Sequence, residues 1–375
     1  MLSFWEQKEF IHFDYIIVGS GITGLSTACV LKERNPNAKI VVLERGLFPT
    51  GASTKNAGFA CIGTLSEKVY DLSLMGEKNL LQLVENRWKG LQLLRKRLGD
   101  AKIDFQNNGG YELVFNSGIE NHLDKIDFMN AMLFPLFGKN IFVEKKDKID
   151  AFGFNKKLLS SIVENEIEGQ LDTGKMMNSL HDYAASLGIK IITGAEVNSI
   201  EENNHCVEIL VSCNQSTQTF KAEKTVVCTN AFTKKLFPEL EIIPGRGQVI
   251  CTSPIENLKI KGTFNFDEGF YYFRNFENRI IFGGGRNLDF EKERTTNFEL
   301  NETIISKLEW YLKELIIPEK QFTIDYKWTG IMAFGENKLP IVQRMSDRIA
   351  VGARLNGMGV ALGSKIAEDL ADLLQ

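Results

Sequence analysis

The 375-residue sequence has no CxxC pair and no His/Cys cluster at metal-ligand spacing, so neither a zinc site nor a disulfide framework is expected. Its six cysteines, at positions 29, 61, 206, 213, 228 and 251, are scattered, and a reducing cytoplasm is the compartment this predicts. Concentrated basic charge is lacking too. A net charge of −4 gives no electrostatic reason to bind nucleic acid. The one basic run, Arg95-Lys96-Arg97, closes a helical pattern carried by Leu80, Val84, Trp88, Leu91 and Leu94 and stopped by Gly99. Met1 to Phe13 mixes acids with aromatics and has no basic segment followed by an apolar one, so it does not read as a signal peptide. No apolar run suits a membrane span, which needs about 20 residues. The nearest, Tyr15 to Leu31, carries no charge over 17 residues but holds three glycines and several hydroxyls. Internal repeats and low-complexity linkers are absent. What remains is a chain of 43% hydrophobic composition, long enough for two domains.

The strongest local pattern is near the beginning. Tyr15-Ile-Ile-Val18 reads as a buried strand, Gly19-Ser20-Gly21-Ile22-Thr23-Gly24 as a turn and Leu25 to Arg34 as a helix; Ile40-Val-Val-Leu43 is a second buried strand that ends on Glu44. In such a βαβ unit the first glycine permits a tight turn, the second lets backbone N–H groups approach a pyrophosphate, and the third lets the helix pack on the strand. The diphosphate then meets the helix N-terminus. Glu44, 20 residues past Gly24, is spaced to accept hydrogen bonds from ribose hydroxyls. A dinucleotide-binding unit is therefore expected.

Further on, Asp172-Thr173 predicts a helix N-cap, with the helix running through Met177, Leu180 and Tyr183 to Gly188. Strand-like segments follow at 190–193, 206–211 and 225–229. Phe264 to Arg286, rich in Phe, Tyr and Gly, suits an antiparallel sheet that walls a pocket. This alternation predicts domains assembled from non-contiguous pieces. The nucleotide-binding part would take 1–65, 155–235 and 325–375, and a substrate part 66–154 and 236–324.

Several ordered segments carry a resemblance to a known family. They are the glycine fingerprint, Val42-Leu-Glu-Arg45, Gly51-Ala-Ser-Thr-Lys-Asn-Ala-Gly58, Gly169-Gln-Leu-Asp-Thr173 and Gly194-Ala-Glu-Val197. Val226-Val-Cys-Thr-Asn-Ala231, Pro244-Gly-Arg-Gly-Gln248, Tyr271-Tyr-Phe-Arg274, Trp328 to Val342 and Gly352 to Gly363 complete the set. Over nearly its whole length the chain resembles the FAD-dependent oxidases and dehydrogenases related to D-amino-acid oxidase, glycine oxidase and sarcosine oxidase. The resemblance implies an α/β fold: a Rossmann-type, glutathione-reductase-like FAD-binding domain with a second α+β substrate domain on an antiparallel sheet. It also implies hydride removal from a carbon bearing an amine, with oxygen or another acceptor reoxidising the flavin.

On this resemblance Gly19, Ser20, Gly21, Ile22, Thr23, Gly24, Glu44 and Arg45 would hold the ADP half of FAD. Ser53, Thr54, Lys55, Asn56, Ala57 and Gly58 would contact pyrophosphate and flavin, and Val197 the adenine end. Thr229, Asn230 and Gly352 fall in matched segments that would also line the cofactor. Asn356, Gly357, Met358, Gly359 and Val360 would open a helix whose N-terminus stabilises negative charge on the reduced ring. Such chemistry needs no dedicated acid–base residue, because the cofactor carries it. The four histidines, at 12, 122, 181 and 205, accordingly lie outside every motif. A second dinucleotide fingerprint is missing, since Gly283-Gly-Gly-Arg286 ends a strand without a following helix pattern, so NAD(P)H is not expected as reductant.

One position departs from the pattern. Glycine-oxidase-like members carry Trp-x-Gly-x-Arg-Pro where this chain has Trp328-Thr-Gly-Ile-Met332-Ala, and the arginine that would grip a substrate carboxylate is Met332. Either Arg246 or Arg274 supplies that clamp, or the substrate has no carboxylate near the reacting carbon and resembles an alkylamine or polyamine derivative. Tyr271 and Tyr272 complete the substrate candidates. Neither Cys nor His occurs between Trp328 and Phe334, so FAD is expected to be bound non-covalently, and no metal is expected. The same architecture also serves 2-hydroxy-acid dehydrogenases, a tRNA-modifying flavin oxidase and flavin-binding proteins without turnover.

Overall fold

A computed structural model describes residues 2–116, 122–214 and 216–374. The fingerprint strand forms as His12–Val18 and pairs in parallel with Ile40–Leu43 on one side and Ser216–Val227 on the other. Ile40–Leu43 pairs in parallel with Lys190–Ile192, and Ser216–Val227 with Ile349–Ala353, which carries Ile341–Arg344 antiparallel at the edge. Ile16, Ile17, Val41 and Val42 are wholly buried, as strands covered on both faces require. The first half of the long strand Ser216–Val227 leaves this layer to pair antiparallel with Val207–Cys213, which continues to Glu196–Glu202.

Helices cover one face of the parallel sheet: Ile22–Arg34, Leu65–Leu98, Thr173–Ser186 and Gly359–Leu373 share one apolar core with its strands. Ile22–Arg34 begins three residues before the expected Leu25, directly at Gly21. Gly24 makes this possible, because a Cβ there would lie 1.9 Å from the carbonyl oxygen of Gly19. Asp172 caps Thr173–Ser186 by accepting from the N–H of Lys175. Leu65–Leu98 extends well before the expected start because Thr64 caps it and Gly76 (φ 73°) kinks it. The kink breaks the apolar stripe that sequence periodicity reads.

The second sheet is mostly antiparallel, in the order Ile324–Phe334, Ile243–Thr252, Arg279–Gly284, Tyr271–Phe276, Thr263–Phe266, Gly110–Phe115, Leu159–Asn165 and Phe142–Glu144. Only Thr263–Phe266 and Gly110–Phe115 run parallel among these pairs. Two strands depart from the expected partition. Leu159–Asn165 and Ile324–Phe334 fall in segments assigned from sequence to the nucleotide-binding part, yet both hydrogen-bond into this second sheet. Local sequence cannot separate them, since strand-forming residues do not say which sheet they join. Behind the sheet, Phe264, Phe266, Tyr271, Phe273 and Phe282 stack with Tyr311 into an aromatic core.

Two consequences are measurable. Gly90 sits where Leu65–Leu98 crosses Gly359–Leu373, and a Cβ there would lie 2.1 Å from the carbonyl oxygen of Ala361. Gly90→Ala is expected to destabilise the protein by about 1–3 kcal/mol through overpacking, read as a lower urea midpoint. Glu112, buried on the second sheet, has its carboxyl pushed up to about 7 by desolvation, against hydrogen bonds from Ser66. In the unfolded chain it ionises near 4.5, so its stabilising effect is complete below that pH and is lost as pH rises toward 7. Glu112→Gln is expected to flatten that decline, on the order of 3 kcal/mol in full, in urea titrations between pH 4.5 and 7.

Candidate active site

One cavity of about 710 Å³ runs from the glycine turn to the inner face of the second sheet. At one end it is walled by Gly19, Gly21, Ile22 and Thr23, with Glu44, Arg45 and Val197 beside them. The Glu44 carboxylate ends its strand and accepts from Ser20 N (3.0 Å), Ser20 Oγ (2.7 Å) and Gly46 N (2.9 Å). Arg45 lies flat on Phe232, 3.8 Å from the ring centroid. Ser20 and Gly24 lie behind the wall, where they fix the turn.

The loop at 51–58 folds over this end. Ser53 Oγ accepts from the N–H of Ile22 at 3.0 Å, and Ser53, Lys55, Asn56 and Ala57 face the cavity. Thr54 turns back to the carbonyl of Pro49. Gly58 is buried against Leu171, whose carbonyl would lie 2.2 Å from a Cβ there. Thr229 and Asn230 line the opposite side; Asn230 Oδ1 accepts from the N–H of Arg354 at 3.1 Å. Gly352 is away from the cavity, with Leu370 packed against it.

Two helix N-termini open into this space. Ile22–Arg34 starts at Gly21 and Gly359–Leu373 at Met358, and neither has a local side-chain cap. Helices Leu65–Leu98, Thr173–Ser186 and Glu302–Tyr311, by contrast, are capped by Thr64, Asp172 and Asn301. Uncapped first-turn N–H groups favour negative charge. Asn356 (φ 51°) and Gly357 (φ 81°) bend the chain into the second of these helices beside Met332. A Cβ on Gly21 would come within 2.8 Å of Ser53 Oγ, so only glycine leaves this cradle open. These residues fit a dinucleotide: a diphosphate suits the first helix end, ribose hydroxyls suit Glu44, and an electron-rich ring suits the second end.

Beyond the second helix end the cavity is walled by Phe59, Tyr272, Met332, Phe334 and Arg286. Tyr272 packs edge-on to Phe59 at 5.7 Å, and burial pushes its phenol up to about 12. Of the sequence-derived substrate candidates, Tyr272 and Met332 reach this compartment. Tyr271, 1% exposed, stacks on Phe266 on the other face of the sheet. Arg246 is spent on Glu293, with Nη2–Oε1 at 2.8 Å and Nε–Oε2 at 2.9 Å. Arg274 donates to the carbonyls of Leu171 (2.6 Å) and Gly58 (3.2 Å). Neither arginine lines the cavity, because each is consumed by a structural partner.

Arg286 is the residue that sequence reasoning passed over. It was visible only as the end of a glycine run, and no local pattern marks its role. A second group on the cavity wall was also illegible: Glu67, Arg87 and Lys338, with Lys68 and Asp71 buried behind. Arg87 meets Glu67 at 2.9 Å, and Lys338 meets Asp71 at 2.6 Å. Against its own desolvation, Lys68, Arg87 and Lys338 hold Glu67 well below the usual carboxylate range. Among the described residues no group of His, Cys, Asp and Glu is arranged to hold a metal, and no helix is long and apolar enough to cross a membrane.

Comparison with known proteins agrees with this architecture. The chain is 23% identical to the probable oxidoreductase OrdL of Haemophilus influenzae over 368 residues, 94% of this chain and 80% of that one. It is 24% identical to the gamma-glutamylputrescine oxidoreductase of Escherichia coli over 399 residues, 98% of this chain and 85% of that one. The crystal structure of glycine oxidase from Geobacillus kaustophilus superposes with a TM-score of 0.76 at 19% identity, covering 97% of this chain and 95% of that one. At that identity the likeness shows the shared fold. The family model that matches spans residues 14–373, and the chain belongs to the DAO family of FAD dependent oxidoreductases.

Proposed function

We propose that this enzyme oxidises the C–H bond beside an amine nitrogen, converting an amine to an imine that water then hydrolyses. The observation that carries the reading is the continuity of one cavity from the glycine turn and Glu44, past the second helix end, to a compartment walled by Tyr272, Met332 and Phe334. When bound, FAD accepts the hydride and passes the electrons to oxygen or another acceptor. The names of two similar proteins, a gamma-glutamylputrescine oxidoreductase and a glycine oxidase, support an amine or amino-acid-like substrate.

In this reading Glu44 accepts from the ribose hydroxyls, and the N-terminus of Ile22–Arg34 faces the diphosphate. Ser53 to Ala57 close over the cofactor. The N-terminus of Gly359–Leu373 opposes negative charge that builds up beside Met358 as the substrate is oxidised. Phe59, Met332 and Phe334 exclude water from the reacting carbon. Tyr272, neutral because burial raises its phenol to about 12, orients the substrate through a hydroxyl that donates or accepts. The substrate nitrogen gives up its proton to solvent before it enters the compartment, so that its lone pair is free when the hydride goes.

FAD is held without a covalent link. Cys61, the cavity thiol nearest the 51–58 loop, is pushed up to about 12 by desolvation and by Glu168, so it is not a thiolate near neutral pH. Acid precipitation of the holoprotein is expected to leave all flavin in the supernatant; yellow colour retained in the pellet would contradict this.

Anaerobic mixing of the holoprotein with amines, amino acids and 2-hydroxy acids tests the reaction itself. Bleaching of the flavin band near ~450 nm by the amine class is expected. Bleaching by hydroxy acids alone would replace the reading, and no bleaching by any class would leave a flavin-binding protein without this turnover.

A further inference from the structure

Arg286 follows the strand Arg279–Gly284 and lines the cavity among aromatic rings. Its guanidinium carbon lies 3.9 Å from the centroid of Phe334, 4.9 Å from Phe290 and 5.9 Å from Phe270. A guanidinium held by cation–π contacts has no acceptor committed to its N–H fork by those contacts. Among the described residues that fork makes no hydrogen bond or ion pair. The nearby acid, Glu293, is already saturated. Its Oε2 accepts from Arg246 and Gln248, each at 2.9 Å, and its Oε1 from Arg246 and Asn301, each at 2.8 Å. Other buried arginines have their partners: Arg87 has Glu67, Arg246 has Glu293, Arg354 has Glu241, and Arg274 has carbonyls.

Desolvation lowers Arg286 to about 10, which still leaves it protonated near neutral pH. Arg286 is partly buried and has no counter-ion among the described residues, and a ligand that brings the missing anion offsets the cost of that partial desolvation. Its position also sets a distance. Met332 and Phe334 are alternate residues on one strand and face the same way, so they stand roughly 7 Å apart. Met332 lies beside Gly357 at the second helix end, whereas Arg286 lies on Phe334. The Arg286 side chain packs by Gly245 and the Met332 methyl by Gly247, alternate residues of the neighbouring strand, so an anion at Arg286 is displaced from the Met332 side chain by about the same span. An extended chain covers roughly 1.2 Å per bond, which makes the gap roughly five or six bonds.

We propose that Arg286 is the anion-binding residue of the substrate pocket, and that the substrate is an amine carrying a carboxylate several bonds from the carbon that is oxidised. This rests on the amine-oxidation reading above and narrows it. Met332 is apolar because the reacting end of such a molecule has no carboxylate. A planar carboxylate matches the guanidinium fork with two parallel hydrogen bonds.

The test separates binding from turnover. Hexanoate, titrated into the holoprotein, is expected to perturb the flavin spectrum saturably. Arg286→Met keeps the side chain's bulk over Phe334 and is expected to weaken that binding at least tenfold, while Arg286→Lys retains part of it. Equal hexanoate affinity in wild type and Arg286→Met, or no binding to wild type, overturns the proposal whether or not amines are substrates. In anaerobic reduction, 6-aminohexanoate is expected to exceed both n-hexylamine and glycine in kcat/KM by at least tenfold, and Arg286→Met to abolish its advantage over n-hexylamine. Preference for glycine, or an undiminished advantage of 6-aminohexanoate in both Arg286 variants, also overturns it. Reduction by hydroxy acids and by no amine would defeat the broader reading instead, and the hexanoate titration would still report on Arg286.

Discussion

Everything in this molecule depends on bringing two helix N-termini to one cavity. Ile22–Arg34 and Gly359–Leu373 come from opposite ends of the described chain and belong to the same helical layer. Their starts converge because Gly363 allows the final helix to lie against Ile22; a Cβ there would be 2.6 Å from Ile22 Cγ2. Each helix also starts without a local cap, so the partial positive charge of its first turn is directed at the cavity. A diphosphate and a ring that gains electrons are both negative at the moment they matter. The fold meets both needs with backbone groups, whose positions are set by packing rather than by flexible side chains.

The same constraint explains the second sheet. Once the helix layer fixes the cofactor side, the opposite wall must be rigid and apolar, and Ile243–Thr252 and Ile324–Phe334 supply it as a long antiparallel pair. Gly245 stands opposite Met332, and Gly247 lies close enough for the Met332 methyl to pack on its backbone. The aromatic core behind the sheet holds these strands flat against movement. Behind that wall Glu293 neutralises Arg246, whereas Arg286, on the cavity side, has no carboxylate partner among the described residues.

Much of the cofactor half was legible in the sequence because its signals are local. A glycine turn between a strand and a helix, an acid at the next strand's end and a glycine-rich helix start each fit within a few residues. The substrate half was not, and the reason is physical rather than accidental. Whether an arginine is free or spent depends on partners far away in the chain: Glu293 for Arg246, Leu171 for Arg274, and Phe334 beneath Arg286. Arg246 and Arg274 sit within strands and Arg286 after a glycine run, and nothing within several residues of each tells whether it has a partner. That Leu159–Asn165 and Ile324–Phe334 pair into the second sheet was illegible for the same reason, since strand pairing is a non-local choice.

The loss of an arginine at position 332 gains its meaning from this pairing pattern. Taken alone, Met332 suggests a pocket that has abandoned anions. With the Arg286 guanidinium carbon 3.9 Å from the Phe334 ring, two residues on from Met332, the proposed anion site lies further along the wall, where a longer molecule would reach it. A cation beside the reacting carbon would also disfavour the positive charge that develops on an amine as hydride departs. On the proposed reading, a cation at Arg286 instead keeps the carboxylate recognised while relieving that repulsion, which falls with distance and with the water and protein dipoles between. That proposal couples substrate length and ease of oxidation through one side chain, Arg286.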